Sequence, residues 1–304
     1  MKYLIIGAGG IGGSIGALMT EAGKDVTVIA RGKHLTAIQE NGLHMETTCK
    51  GHYTVCPITA FDMEHYNDKP DIIFVCVKSY SLEETIPFIK RVAHQDTIVI
   101  PLLNVYGTGG KMQELLPNLL VTDGCIYIAA EIKEPGTIVQ KGDIFNVIFG
   151  VRKNGEYRPA LEQVAQDLKE SGITGTLSED IKRDALQKFS YVSPMAACGA
   201  YYDVDAGDVQ KDGIARDTFI ALMQEIEKLA NTLAIHFTVD IVKTNLDILA
   251  ALTPTASTSM QRDLRQGKRS EIDGLLFEVV RLGRKLGVSI PAYEKIAAQF
   301  GFTD

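Results

Sequence analysis

The strongest constraint on this chain lies at its start. The apolar run "KYLII" passes directly into Gly7-Ala8-Gly9-Gly10-Ile11-Gly12, and "IGGSIGALMTEAG" overlaps and extends it with a helical pattern that Gly23 ends. A second β-rich run, "DVTVIA", follows at the spacing of a βαβ unit. In a G-x-G-x-x-G at a strand-to-helix junction each glycine has its own task. Gly7 permits the tight turn, Gly9 lets backbone approach a pyrophosphate, and Gly12 lets helix and strand pack closely. Backbone N–H groups at the helix start then hold phosphates. A glycine pattern alone also fits an ordinary turn; the strand, helix and strand around this one favour a dinucleotide site over Gly7, Ala8, Gly9, Gly10, Ile11 and Gly12.

The rest of the first half keeps the same alternation. "DIIFVCV", "TIVIPLL", "LVTDGCIYIAA" and "GTIVQ" with "FNVIFG" are strand candidates separated by helical stretches. Runs such as "LIIGA" and "IIFVCV" lack polar alternation, as parallel strands covered on both faces do. Beyond about residue 155 strand signals vanish. "RPALEQVAQDLKESG", "SEDIKRDALQKFSYVSPMAACGAYY", "IARDTFIALMQEIEKLANTLA", "TVDIVKTNLDILAAL", "EIDGLLFEVVRLGRKLG" and "PAYEKIAAQFG" all have helical periodicity. Pro291 suits a first turn and Gly287 a stop, and Ser270 with Asp273 has capping-box spacing. The expectation is an α/β class: a Rossmann domain over 1–155, a linker in "GVRKNGEYRP", and an all-α domain over 156–304.

Composition narrows the functions. A net charge of −7 over 304 residues argues against a general nucleic-acid or anionic-membrane binder. No run approaches the ~18 apolar residues of a spanning helix, and "YLIIGAG" is too short for a signal peptide. The five cysteines are scattered, with no CxxC spacing, so reduced thiols in a cytoplasmic protein are expected rather than a metal site or disulfides. The helical half has apolar faces enough for a homodimer, although a monomer core has the same pattern.

The ends of the strands carry the cofactor signals. After the second strand, "VIARGKH" places Arg31 where an NAD site usually has a carboxylate. A guanidinium pairs with a 2′-phosphate that a carboxylate would repel, so Arg31 points to NADP(H); a solvated loop arginine is the other reading. Lys78 ends "DIIFVCVK" and either caps the strand in solvent or faces a phosphate. Asn104 follows "TIVIPLL" and offers both donors and acceptors to a ribose or a substrate.

Taken together these features resemble the ketopantoate reductase (2-dehydropantoate 2-reductase) family. The likeness runs almost end to end: the glycine motif with Arg31, "VKS" at Lys78, Asn104 to Gly107, "PGTIVQKG", a lysine in the helical half, "SMQRDLRQGKRSEID" and "GVSIP". It implies a Rossmann domain plus a helical domain of the hydroxyacid-dehydrogenase type. It implies that Gly7 to Gly12, Arg31, Lys78 and Asn104 bind NADPH, with Glu271 next to the nicotinamide. Lys188 matches the catalytic proton donor, and Ser259, preceded by Ala256 to Thr258, the substrate-holding segment. Asn104 and Lys188 would also touch the substrate. The implied reaction is NADPH-dependent reduction of ketopantoate to pantoate for pantothenate and coenzyme A synthesis, with no metal required.

Read from the residues alone, Lys188 is equally an exposed helix lysine, Glu271 a helix-dipole acid and Ser259 an N-cap. The chain also departs from the family pattern. Asparagines expected to bind substrate are replaced by Val192, Ala196 and Ala206, and an expected histidine is Gln140. Ser190, Ser193 and Asp203 are candidates to replace the lost polar contacts. Two alternatives follow: a reductase of another, bulkier 2-oxo acid, or a non-catalytic NADP-binding protein.

Overall fold

The computed structural model describes residues 1–303. Every strand among them lies in one unit, Met1–Leu103 with Gly107–Ile181. It opens with β1 (Lys2–Ile6), α1 (Gly10–Glu21), β2 (Asp25–Ile29) and α2 (Gly32–Asn41), then three short strands, β3 (Leu43–Thr47), β4 (Gly51–Val55) and β5 (Thr59–Phe61). Next come β6 (Ile72–Val75), α3 (Leu82–Val92), β7 (Ile98–Pro101), α4 (Thr108–Leu115) and β8 (Leu120–Val121). β9 (Asp123–Glu134), β10 (Thr137–Gly150), α5 (Ala160–Glu170) and β11 (Thr174–Leu177) complete it.

The unbroken apolar runs form the centre of a six-stranded parallel sheet ordered β5-β2-β1-β6-β7-β8. Alternate side chains of β1 enter two different cores: Tyr3 and Ile5 one, Leu4 and Ile6 the other. On the first face they meet Ile15 and Met19 of α1; on the second, Ile86 and Ile89 of α3. Double coverage explains why these strands carry no polar alternation. The strand order reverses direction at β1, with β2 on one side and β6 on the other, which is where open α/β sheets bind ligands.

The second sheet was not legible as such. β10 is one continuous strand through both "GTIVQ" and "FNVIFG", and it pairs with β3 and β11 in parallel and with β9 antiparallel. β3 and β4 form an antiparallel hairpin whose polar residues hid it. The expected boundary at 155 also shifts. α5 and β11 belong to the first unit, because β11 pairs with β10 and Leu161, Val164 and Leu168 fill the core beside α1.

The second unit is Asn104–Tyr106 with Lys182–Asp304. Its regular elements among the described residues are helices: α6 (Ile181–Tyr202), α7 (Ala206–Val209), α8 (Ile214–Thr232), α9 (Ile241–Ala251), α10 (Ser259–Arg265), α11 (Glu278–Leu286) and α12 (Pro291–Gln299). Phe219, Leu222 and Ile226 of α8 pack with Val279, Val280, Tyr293 and Ile296. Pro291 opens α12 and Gly287, at φ 67°, closes α11, both as expected. The capping box at Ser270 and Asp273 does not form. Residues Asp273–Phe277 make a π-turn instead, and the Asp273 carboxylate pairs with Arg281 at 2.7 Å.

A buried acid caps α12. Glu225, 4% exposed, accepts the N–H groups of Ala292 (2.8 Å) and Tyr293 (3.0 Å). Its burial pushes the carboxyl above the usual glutamate range, against the pull of those two donors. A raised folded-state pKa means the native chain holds this proton more tightly than the unfolded chain. The contribution is therefore full below about pH 4.3 and fades as pH rises through the folded value. Glu225→Ala is expected to cost about 1.5–3 kcal/mol at neutral pH. In urea unfolding, wild type should gain stability relative to Glu225→Gln as pH falls from 7 to 4, and a difference that stays constant would refute the assignment.

Candidate functional site

The turn from β1 to α1 has the geometry its glycines suggest. Gly7 has φ +101°, a conformation that side chains other than hydrogen disfavour, and a Cβ there would meet the Cys76 carbonyl oxygen at 3.0 Å. A Cβ on Gly12 would lie 2.1 Å from the Gly7 carbonyl oxygen, so helix and turn touch through backbone. Gly9 differs: a Cβ there would meet nothing within 4 Å. No protein atom demands a glycine at that position, which fits a backbone left bare for a ligand. The start of α1 has no side-chain cap and no acidic residue in its first turn. Its N–H groups and positive dipole end are therefore available to an anion.

Two cations flank this turn. Gly7 and Ala8 donate their N–H groups to the Ile29 carbonyl (3.1 and 2.9 Å), fixing the turn to the end of β2 two residues before Arg31. Arg31 is exposed and makes no side-chain hydrogen bond or ion pair among the described residues. On the other side Cys76 donates to the Ile6 carbonyl at 2.8 Å, and Val77 packs under Gly7. Lys78 follows, half-buried and in extended backbone, before a 3₁₀ turn over Ser79–Ser81. Half-burial sets it apart from a fully solvated strand cap.

His34, which motif reasoning passed over, secures the turn from behind. Its Nδ1 lies 3.0 Å from the Gly136 backbone nitrogen, and its Nε2 lies 2.7 Å from the Ala8 carbonyl oxygen. A backbone N–H only donates and a carbonyl only accepts, so the ring is the neutral Nε2–H tautomer. The only sequence signal was its position one turn after Arg31; the partners come from elsewhere in the chain.

In the helical unit, Lys188 projects from α6 and is 7% exposed, so it is no solvated helix lysine. Its ammonium donates to Asn104 Oδ1 at 2.5 Å. Asn104 reaches it because residues 104–106 leave the sheet unit and pack among the helices: Val105 lies against Gly274, and the Tyr106 and Phe189 rings are 6.0 Å apart. Glu271, 3% exposed, sits just before the π-turn and is not an ordinary first-turn surface acid. Thr258, not Ser259, is the N-cap of α10. Its hydroxyl accepts the Gln261 N–H, while the Gln261 side chain accepts the Thr258 N–H. The Ser259 hydroxyl, half-buried, makes no hydrogen bond among the described residues.

Comparison with known proteins finds family matches in both units. The family model described as ketopantoate reductase PanE/ApbA covers residues 3–154, and its C-terminal counterpart covers residues 180–302. The chain belongs to the ketopantoate reductase family. It is 28% identical to the 2-dehydropantoate 2-reductase of Pyrococcus horikoshii, over 96% of this chain and 93% of that one. The 2-dehydropantoate 2-reductase structure from Methylococcus capsulatus shares the fold with a TM-score of 0.88 at 24% identity, covering 99% of this chain and 96% of that one. A D-mandelate dehydrogenase solved with NADH and anilino(oxo)acetate also has a TM-score of 0.88, at 23% identity over 98% and 96% of the two chains.

This member of the oxidoreductase family has apolar residues at the positions where asparagines were expected. Ala196 and Ala206 are fully buried in the apolar core of the helical unit, and Val192 packs against it. The polar residues considered as replacements are engaged in the fold. Ser190, fully buried, donates to the Gln187 carbonyl (2.6 Å) and accepts from Asn245 (3.0 Å). Ser193 spends its hydrogen on the Leu275 carbonyl of the π-turn (2.6 Å), so the Tyr293 hydroxyl must donate to it (2.6 Å). Asp203 is exposed and pairs with Arg265 at 2.8 Å. Gln140 is buried on β10. No helix among the described residues is long and apolar enough to cross a membrane.

The His34 bridge makes the turn testable. His34→Ala removes the partner of the Ala8 carbonyl and of the Gly136 N–H, each worth about 1–3 kcal/mol when left unmet. Dinucleotide affinity measured by fluorescence titration should fall about tenfold or more, with the native circular dichroism spectrum retained; wild-type affinity would show that the bridge does not shape the turn.

Proposed function

We propose that this protein reduces a 2-oxo acid with NADPH, and that the substrate is ketopantoate, giving pantoate for pantothenate and coenzyme A synthesis in the cytoplasm. The observation that carries the reading is the buried Lys188 ammonium, held by Asn104. A lysine is costly to bury, and this one is held in a water-poor setting with its amine donating to the Asn104 amide oxygen. NADPH, when bound, supplies the hydride that reduces the carbonyl carbon. Gly7 to Gly12 hold its phosphates, Arg31 and Lys78 neutralise them, and Arg31 selects the 2′-phosphate. Lys188 stabilises the charge that develops on the carbonyl oxygen and delivers the proton to it. Asn104 fixes the ammonium and touches cofactor and substrate. Ser259 offers its unengaged hydroxyl to the substrate, and Glu271 stands by the nicotinamide.

A second reading keeps this mechanism and changes the substrate. Val192, Ala196 and Ala206 leave that part of the helical unit apolar, and Ser190 and Ser193 are already spent on the fold. A site that hydrogen-bonds a substrate hydroxyl loses selectivity when those groups are missing, so a bulkier apolar 2-oxo acid is the rival. A non-catalytic NADP-binding role is disfavoured by the burial of Lys188.

Two variants test the assignment. Lys188→Ala should lower kcat by about 10²–10⁴-fold while NADPH binding stays near wild type, and unchanged turnover would remove Lys188 from the chemistry. Arg31→Ala should weaken NADPH binding by roughly 10–100-fold and barely affect NADH, as expected for one charge-assisted contact. Equal losses would place Arg31 elsewhere. Ranking ketopantoate in a panel of 2-oxo acids by kcat/KM decides between the two substrates.

A further inference from the structure

We propose that His44, Glu46 and His52 form a surface site for a divalent transition-metal ion of the zinc class. His44 and Glu46 lie two residues apart on β3 and so project from the same face. The antiparallel register puts His52 of β4 opposite Glu46, and Thr54 opposite His44. One ligand atom from each of His44, Glu46 and His52 lies within 4.8 Å of the others, and the two imidazole rings are 6.1 Å apart, edge to face.

The surroundings prepare each donor. Thr54 Oγ1 lies 3.0 Å from His44 Nδ1, which occupies that nitrogen and leaves Nε2 as the ligand atom. Such a partner fixes ring orientation in metal sites. Lys133 donates to both oxygens of Glu46, at 2.8 and 3.0 Å. Its ammonium is a placeholder cation that a dication would displace. Two imidazoles and one carboxylate suit zinc, and suit copper and nickel in a tighter or different geometry. They do not suit calcium or magnesium, which take oxygen ligands. His44 and Glu46 are half-buried and His52 exposed, so side-chain rotation can close the remaining gap and water can complete the coordination.

The position gives such an ion a physical consequence. β4 is an edge strand of the second sheet, bonded only to β3 in that sheet, and all but Val55 of its residues are exposed or half-buried. A metal bridging β3 to β4 staples this edge, stabilising the native state by its binding free energy.

The test uses the tag-free full chain, stripped with a chelator and titrated calorimetrically with zinc chloride alone. One equivalent per chain is expected. His44→Ala and His52→Ala should each weaken binding by at least tenfold, and Lys133→Met should tighten it. The metal-free variants should keep the wild-type melting temperature, and zinc should raise that of wild type but not of His44→Ala. Cobalt(II) should give visible absorption bands that His52→Ala abolishes. The proposal is overturned if zinc does not bind, if the histidine variants bind as wild type does, or if calcium chloride binds equally well. Loss of binding in Cys49→Ser or Cys56→Ser with the histidines intact would overturn it too, by assigning the ion to those exposed thiols.

Discussion

The close approach of α1 to the structure on both its sides is the constraint from which the sheet unit follows. On one side a Cβ at Gly16 would lie 2.5 Å from Val28 of the parallel sheet, and one at Gly12 would meet the Gly7 carbonyl. On the other, a Cβ at Gly10 would lie 2.4 Å from the Ala130 carbonyl of β9, and one at Gly13 would lie 2.1 Å from Ile138 of β10. A helix squeezed between two sheets can carry side chains only where neither sheet reaches. The glycines cost helix propensity, about 1 kcal/mol each relative to alanine, and that cost is met by burying Ile15, Ala17 and Met19 completely. The same thinness brings the start of α1 down to the end of β1, where its free N–H groups lie at the reversal of strand order. The glycine turn and the layer packing are one solution to one steric problem.

The helical unit is organised around buried polarity of a different kind. Lys188, Ser190 and Ser193 follow one another on α6, yet each has a separate environment. Lys188 meets a side chain from residues 104–106, Ser190 ties α6 to α9 through Asn245, and Ser193 ties it to the π-turn and α12. The Leu275 carbonyl, bonded by Ser193, lies within that wider turn, and Glu271 precedes it. Polar groups buried this deeply must be satisfied, so they fix the register of the helices around the lysine. An amphipathic pattern cannot distinguish a serine that serves the fold from one that serves a ligand, because both occupy inward positions.

What the sequence determined by itself was local and periodic. The glycine turn, the parallel order of strands, the succession of helices, the proline that opens α12 and the glycine that closes α11 all follow from short-range sterics and hydrophobic spacing. Arg31 and Lys78 were legible as candidates because a cation at a strand end beside a glycine turn has a limited set of uses, whereas Lys188 was singled out only by the family resemblance. What only the tertiary structure decided was pairing over long separations. It made one strand of "GTIVQKGDIFNVIFG", drew α5 and β11 into the sheet unit, gave the α10 cap to Thr258, and buried Lys188 against Asn104. It also made Ser190 and Ser193 structural, and set His52 opposite Glu46 across a hairpin too polar to announce itself. Those outcomes depend on which distant residue arrives with a matching donor, acceptor or surface, and no local pattern in the chain encodes that arrival.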